Sequence, residues 1–281
     1  MLRQLGPPDR TTLEHFLRHR PVDYCIALGL FSRYGFDGPV TFYGLWLDPT
    51  DGQSGADSTA HEPAAVITLD RGRALLLGDV SGHFGPVADL LGDAQLRAAF
   101  APTTTMDPLL QAPASSGVPA RWRHARQEVE QQMVLTPVTP VPPPGPFSPM
   151  TIRPAAESDL PRLAGALGSA DRWANESEAS LQHRLRYGFI QIVLTGGRLD
   201  GILFANLSVP EYPRLSRIWV RPELRRMGVG TALVYAACHE LDAKGAVAVS
   251  AWVPQRDAVA RRVLTKVGWS RGLLWKKVLL K

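Results

Sequence analysis

The stretch VRPELRRMGVGTALVYAACHE, Val220 to Glu240, sets Arg225 and Arg226 just before Gly228-Val229-Gly230 and then runs on as an apolar, helix-forming segment. Cations, glycines and a new helix end in so short a span suit a phosphate ligand. A helix N-terminus offers unpaired N–H groups and the positive end of the macrodipole. Glycine lets an anion reach those groups with no Cβ in the way, and arginine adds charge-assisted hydrogen bonds. The segment is therefore expected to be a diphosphate-binding loop. An ordinary helix-entrance turn is the competing reading of Gly228 and Gly230.

Outward from the loop, RLSRIWV (214–220) reads as a strand, and Val229 to Lys244 as a helix closed by Gly245. AVAVSAWV (246–253) is rich in strand formers, DAVARRVLTKVG (257–268) has an apolar helical stripe at 260, 263, 264 and 267, and GLLWKKVLL (272–280) reads as a last strand. Upstream, TIRPA (151–155) is a strand. ESDLPRLAGALG is a helix, with Ser158 or Asp159 as its cap and Pro161 in its first turn. ESEASLQHRLRYG (176–188) is a second helix, and 189–209 gives two strands about Gly196-Gly197. The order β-α-α-β-β-β-α-β-α-β is not the alternation of a dinucleotide fold. No Gly-x-x-x-x-Gly-Lys accompanies the loop either.

TPVTPVPPPGPFSPM, residues 136–150, fits neither a helix nor a central strand, because its prolines fix φ and remove donors. It divides the chain into domains 1–135 and 151–281. In the first, Thr11 to Leu30 reads as two helical pieces broken at Pro21. VTFYGLWL (40–47), AAVITLD (64–70) and RALLLGD (73–79) read as strands, and PVADLLG as a short helix. Pro49 to Pro63 is a loop. RWRHARQEVEQQ (121–132) is compatible with a polar helix or a strand.

The 281 residues suffice for about two domains. Net charge is −4 over 1–150 and +9 over 151–281, so the basic half suits a polyanionic partner. Two distant cysteines, Cys25 and Cys238, rule out a disulfide framework or a cysteine zinc site within the chain and suit a reducing, cytoplasmic setting. No apolar run approaches a membrane span, and MLRQLGPPDR has no apolar signal core. His61, His83 and His124 lack metal-ligand spacing, so no metal is expected.

IWV-RP-ELRRMGVG-TALV, in this element order, resembles the Gcn5-related N-acetyltransferase (GNAT) superfamily over residues 150–281. The resemblance implies a mixed-sheet α/β fold and an acetyl-coenzyme A co-substrate. Its pyrophosphate would lie on Arg225, Arg226, Met227, Gly228, Val229, Gly230 and Thr231. Its pantetheine arm would bond the main chain of Ile218, Trp219 and Val220, as an added strand does. It also implies an amine acceptor, a small molecule or a protein amine, and leaves a homodimer open. Two departures stand out. Where relatives place a tyrosine that protonates the leaving thiolate, this chain has Leu264, and the strand 214–220 carries no carboxylate base. Glu211 is the acid nearest the strand in sequence, and Glu176 and Glu178 could face a substrate cleft from the second helix, though surface roles suit all three better, and Asp257 is most simply a helix cap. Tyr235 is a substitute acid or a packing residue. The catalytic residues are thus not assigned.

LEHFLRHRPVDYCIALGLFSRYG followed by VTFYGLWLD resembles the divergent N-terminal half of two-part bacterial acetyltransferases. At its loop position it reads Gly82-His83-Phe84-Gly85-Pro86 with no arginine pair, which implies a degenerate GNAT-like domain without a coenzyme site. The functional expectation is acetyl transfer from acetyl-coenzyme A to an amine. A non-catalytic acyl-coenzyme A sensor is the rival, and nucleic-acid binding a weaker one, since no basic-aromatic reader motif occurs.

Overall fold

A computed structural model describes residues 1–46, 62–142, 150–168 and 177–280. They form two units, Met1–Gln131 with Leu273–Lys281, and Gln132–Gly272.

The first unit begins with β1 (Leu2–Gln4), α1 (Arg10–His19), α2 (Cys25–Tyr34), β2 (Val40–Leu45), β3 (Ala65–Asp70) and β4 (Arg73–Gly78). It continues through α3 (Phe84–Asp93), β5 (Ala98–Pro102), α4 (Thr103–Gln111) and α5 (Ala120–Arg123) to β6 (Arg126–Leu135), whose last residues enter the second unit. The ambiguous stretch 121–132 thus splits into the end of a short helix and most of a strand. β1 to β4 pair antiparallel, β4 and β5 parallel. One face buries Ile67, Leu76, Leu91, Met106 and Trp122.

The second unit repeats this order: β7 (Thr151–Pro154), α6 (Leu160–Gly168), α7 (Glu178–Tyr187), β8 (Gly188–Thr195), β9 (Arg198–Asn206), β10 (Arg214–Val220), α8 (Val229–Ala243), β11 (Val249–Pro254), α9 (Ala258–Lys266) and β12 (Ser270–Leu279), which runs on into the first unit. β7 to β10 are antiparallel neighbours, β10 and β11 are parallel, and β6 follows β11. Side chains alternate across the sheet. Ile190, Ile192, Ile202 and Phe204 therefore meet α6 and α7, while Phe189, Val193, Leu203 and Leu215 meet α8 and α9.

The first turn of each repeat is built alike. Arg3 grips Asp9 through two hydrogen bonds of 2.9 and 2.6 Å, and Asp9 accepts the Gly6 N–H at 3.0 Å. Arg153 grips Asp159 at 2.7 and 2.9 Å, and Asp159 accepts the Ala156 N–H at 2.9 Å.

The unit bounds differ from the sequence expectation in two places. Residues 132–135 lie in the second unit and 273–281 in the first. The cause is burial and pairing: Trp275 to Leu279 pair antiparallel with Pro102 to Ala98, and Val278 joins the first unit's core. Of the proline segment, 136–142 and Met150 form neither helix nor strand, and 143–149 lie outside the described residues. Val138 is buried in the second unit, and the Val141 N–H donates to Val267 O at 3.0 Å. Most of the loop expected at 49–63 also lies outside the described residues.

Candidate active site

β10 is the strand on which the site is built. It stays in register with β9 from Arg214↔Asn206 to Leu215↔Ala205, then shifts by one residue and resumes at Arg217↔Phe204 through Val220↔Gly201. Ser216 is the extra residue of this bulge, and its hydroxyl donates to Phe204 O at 3.3 Å. A bulge bends and twists its strand. On its other side β10 pairs with β11 only through Arg214↔Ser250 and Leu215↔Ala251. Beyond the bulge the two parallel strands no longer pair, so Ile218, Trp219 and Val220 present an edge of main chain there. All three are half-buried.

The glycine loop starts where that edge ends. Pro222–Leu224 form one 3-10 turn, and Arg226 (φ 71°) and Gly228 (φ 87°) are both left-handed. The first helical bond of α8 runs from Ala232 N–H to Gly228 O. Residues 225–228 form turns, but among the described residues none of the N–H groups from Arg226 to Thr231 makes a main-chain hydrogen bond of good geometry. A helix end without partners asks for a cap, water or a ligand. Arg225, Arg226 and Met227 are exposed, Met227 by 62%. The Arg225 Nε–H donates back to Val220 O at 3.1 Å, so this side chain also braces the loop. Val229 and Thr231 are buried beneath it.

Sequence reasoning missed the anchor of this loop. Asp200 is fully buried on β9, with the Arg221 Nε 3.0 Å and the Arg198 Nε 3.4 Å from its Oδ1. These are ion-pair distances without hydrogen-bond alignment. Arg221 also donates its N–H to Asp200 O at 2.9 Å and its Nη2 to Leu199 O at 2.6 Å. The available signal was an acid inside the apolar run LDGILF.

The corresponding turn of the first unit is built differently. β3 and β4 pair without a register shift. Only residues 79–83 separate β4 from α3, and Asp79 stands among them. Its Oδ1 accepts the Ser81 N–H at 2.8 Å. Hydrogen bonds from the Ser81 hydroxyl and N–H hold its carboxyl below the usual range, so an anion is already in place. A Cβ on Gly78, the last residue of β4, would meet Ala64 O at 2.3 Å, so the backbone packs closely there. An open groove of about 770 Å³ in this unit lies at the other end of the sheet, by the Arg71-Gly72 turn.

No general acid or base stands out. Leu264 is 2% exposed in the α8–α9 core, so a phenol at that position would overpack it. Tyr235 is half-buried with its ring centroid 6.4 Å from that of His239. Glu178 and Glu211 are exposed, and Glu176 lies outside the described residues. The Glu211 carbonyl accepts the N–H groups of Val247 and Ala248. Asp257 caps α9, its Oδ1 accepting the Ala260 N–H at 3.0 Å. Burial pushes the Cys238 thiol up to about 12, which keeps it protonated and inert. Of the histidines named above, His83 has its Nδ1 3.2 Å from Ser81 O, and His61 lies outside the described residues. Among the described residues no group of His, Cys, Asp or Glu is arranged to hold a metal, and no helix is long and apolar enough to cross a membrane.

Residues 160–269 match the model of the Acetyltransferase (GNAT) family. Among solved structures, the chain is similar to a Drosophila protein at 18% identity, covering 99% of this chain and 98% of that one with a TM-score of 0.66. A GCN5-related N-acetyltransferase from Sphaerobacter thermophilus aligns at 15% identity, 99% and 94% coverage and a TM-score of 0.57. A tandem GNAT protein from the clavulanic acid biosynthesis pathway aligns at 14% identity, 98% and 97% coverage and a TM-score of 0.54. A comparison with curated proteins finds no match.

Proposed function

We propose that this chain, a GNAT-superfamily protein with the GNAT fold in tandem, moves an acetyl group from acetyl-coenzyme A to an amine. The observation that carries this reading is the run of N–H groups from Arg226 to Thr231 that make no main-chain hydrogen bond of good geometry among the described residues, at the end of a strand edge that β11 leaves open. The two suit the two ends of one ligand. The loop N–H groups and the Arg225 and Arg226 guanidinium groups take the pyrophosphate. The main chain of Ile218, Trp219 and Val220 takes the pantetheine amides.

That path leads the thioester back along β10 to the bulge at Ser216, where the ladder is interrupted and main-chain N–H groups can point at the thioester oxygen. The neutral amine attacks the carbonyl carbon. A C–N bond forms, the C–S bond breaks, and the electron pair leaves on sulfur. The ammonium proton passes to water, and water protonates the thiolate. The chain contributes position and charge stabilisation more than acid–base groups. We assign the first unit as a divergent, GNAT-like domain without a coenzyme site, because Asp79 puts a carboxylate where the second unit has arginines. A cytoplasmic setting supplies the co-substrate and suits the buried thiols of Cys25 and Cys238.

A non-catalytic acyl-coenzyme A sensor is the second reading, favoured by the apolar, buried Leu264. One set of titrations tests both. Met227→Glu adds a negative charge at an exposed loop position. It should weaken acetyl-coenzyme A binding at least about tenfold, the scale of a lost charged hydrogen bond, with an unchanged melting temperature. Gly85→Ala in the first unit is the control: its new Cβ meets nothing within 4 Å, so it should fold and bind like the parent. If Met227→Glu binds the coenzyme as the parent does, the loop is not the phosphate site. Tight binding with no turnover across amine acceptors would favour the sensor.

A further inference from the structure

We infer that the donor is selected at its far end, where Arg262 and Lys266 of α9 take the 3′-phosphate of coenzyme A; this rests on the acyltransferase reading above. The open edge of β10 lies on its β11 side, and α9 is the helix that follows β11. A Cβ placed on Gly230 would lie 3.7 Å from Val220 Cγ2 and 4.0 Å from Val263 Cγ2. The last residue of β10, the first turn of α8 and the middle of α9 therefore meet at the glycine loop. A coenzyme with its pantetheine on β10 and its pyrophosphate on the loop has one part left to place, the phosphorylated adenosine. α9 borders the loop on that side.

Helical spacing sets the chemistry of this flank. Residues three and four apart are neighbours on a helix surface. Val259 thus neighbours both Arg262 and Val263, and Lys266 neighbours both as well. Val263 is half-buried against the core, while Val259, Arg262 and Lys266 are exposed, Val259 by 75%. The patch offers a guanidinium and an ammonium beside an apolar side chain, which suits a doubly charged phosphate next to a heterocyclic ring. Among the described residues no ion pair joins Arg262 or Lys266 to an acid. Asp257 caps α9 through the Ala260 N–H, and Glu223 stands on the 3-10 turn before the loop. Glu240 and Asp242 are in the last turns of α8. The linker meets the end of α9 at Val141, and residues 143–149 contain no charged group. A diphosphate alone would use Arg225 and Arg226 and leave the α9 cations idle. Coenzyme A carries a further phosphate for them. A pantetheine arm held by a carrier protein has a single phosphate and no adenosine, so it forgoes this contact. The donor class is therefore free coenzyme A thioesters.

Calorimetric titration of the full chain with coenzyme A and with dephospho-coenzyme A, which lacks only the 3′-phosphate, decides it. Coenzyme A should bind about tenfold or more tighter. Replacing both cations, Arg262→Gln with Lys266→Gln, should cut that ratio to about twofold or less and leave the affinity for dephospho-coenzyme A within about twofold of the parent's. The two single variants serve if the double variant does not fold, and a melting curve checks each. Lys244→Gln, at the far end of α8, is the control for overall charge and should leave the ratio unchanged. Equal binding of the two coenzymes by the parent, folded α9 variants that keep the parent's ratio, or an equal fall in Lys244→Gln overturns the inference and leaves the acyltransferase reading standing. If the parent binds neither coenzyme, that reading falls and this inference with it.

Discussion

Asp159 is only 3% exposed and still carries its charge. The hydrogen-bonded Arg153 guanidinium is the main cause that holds its carboxyl below the usual range, with the Ala156 N–H and the charge of Arg162 assisting against burial. A folded-state value below the unfolded one, about 3.9, has a definite sign. The contribution to stability is complete above that pH and is lost as pH falls below it, through the folded value. Asp159→Asn should therefore lower the melting temperature at pH 7 and flatten its decline in acid. A variant that keeps the parent's full acid limb would show that other carboxylates carry it. Asp159 was legible beforehand only as one of two possible caps; its arginine partner, six residues back on a strand, was not. Side-chain pairs between elements leave no periodic trace in a sequence.

At the scale of elements, the second unit was legible almost throughout, because its strands and helices carry clean periods of two and 3.6. β10 fell at 214–220, and α8 within a residue of its expected end. β5 and α4 were not seen. AAFAP has few strong strand formers, and α4 holds Pro108 within it, so tertiary burial decided both. The open strand edge was expected from the family resemblance, whereas its cause, the bulge at Ser216, was not legible, since one residue out of phase looks like noise. The Asp200–Arg221 pair belongs here too, since it ties β9 to the residue that leaves β10. Asp200→Ala would leave Arg221 half-buried without its counter-charge. Buried pairs broken from one side cost several kcal/mol. Arg221 is 24% exposed, so solvent screening reduces this to about 2–3 kcal/mol. Coenzyme affinity should fall as well, because the loop loses its footing. Chemical denaturation with a parallel coenzyme titration checks both, and an unchanged affinity would detach the pair from the site.

Across the whole molecule, one element order is used twice, and each unit includes strand residues from the other half of the sequence: β12 lies beside β5, and β6 beside β11. This exchange could not be read in advance, because a strand's pattern says which face is buried and not which sheet receives it. A test follows from the bounds of the units. Removing residues 273–281 strips β5 of one of its two partners, leaving β4, and takes Val278 from the first unit's core. Hydrogen exchange should then speed up at Ala98–Pro102 more than at Val249–Pro254 in the second unit. Equal acceleration in both would mean that the two units unfold as one.

The same exchange bears on how the chain is made. The ribosome completes Met1–Gln131 early, yet the nine residues 273–281 of the same unit are translated only after the 141 residues of Gln132–Gly272. At about 5–20 residues per second that interval is roughly 7–28 s. Throughout it the nascent first half holds the β5 edge open. Vectorial synthesis thus gives way to a closing step that waits for residues 273–281 to emerge, and a chain terminated before them leaves its first-made unit unfinished.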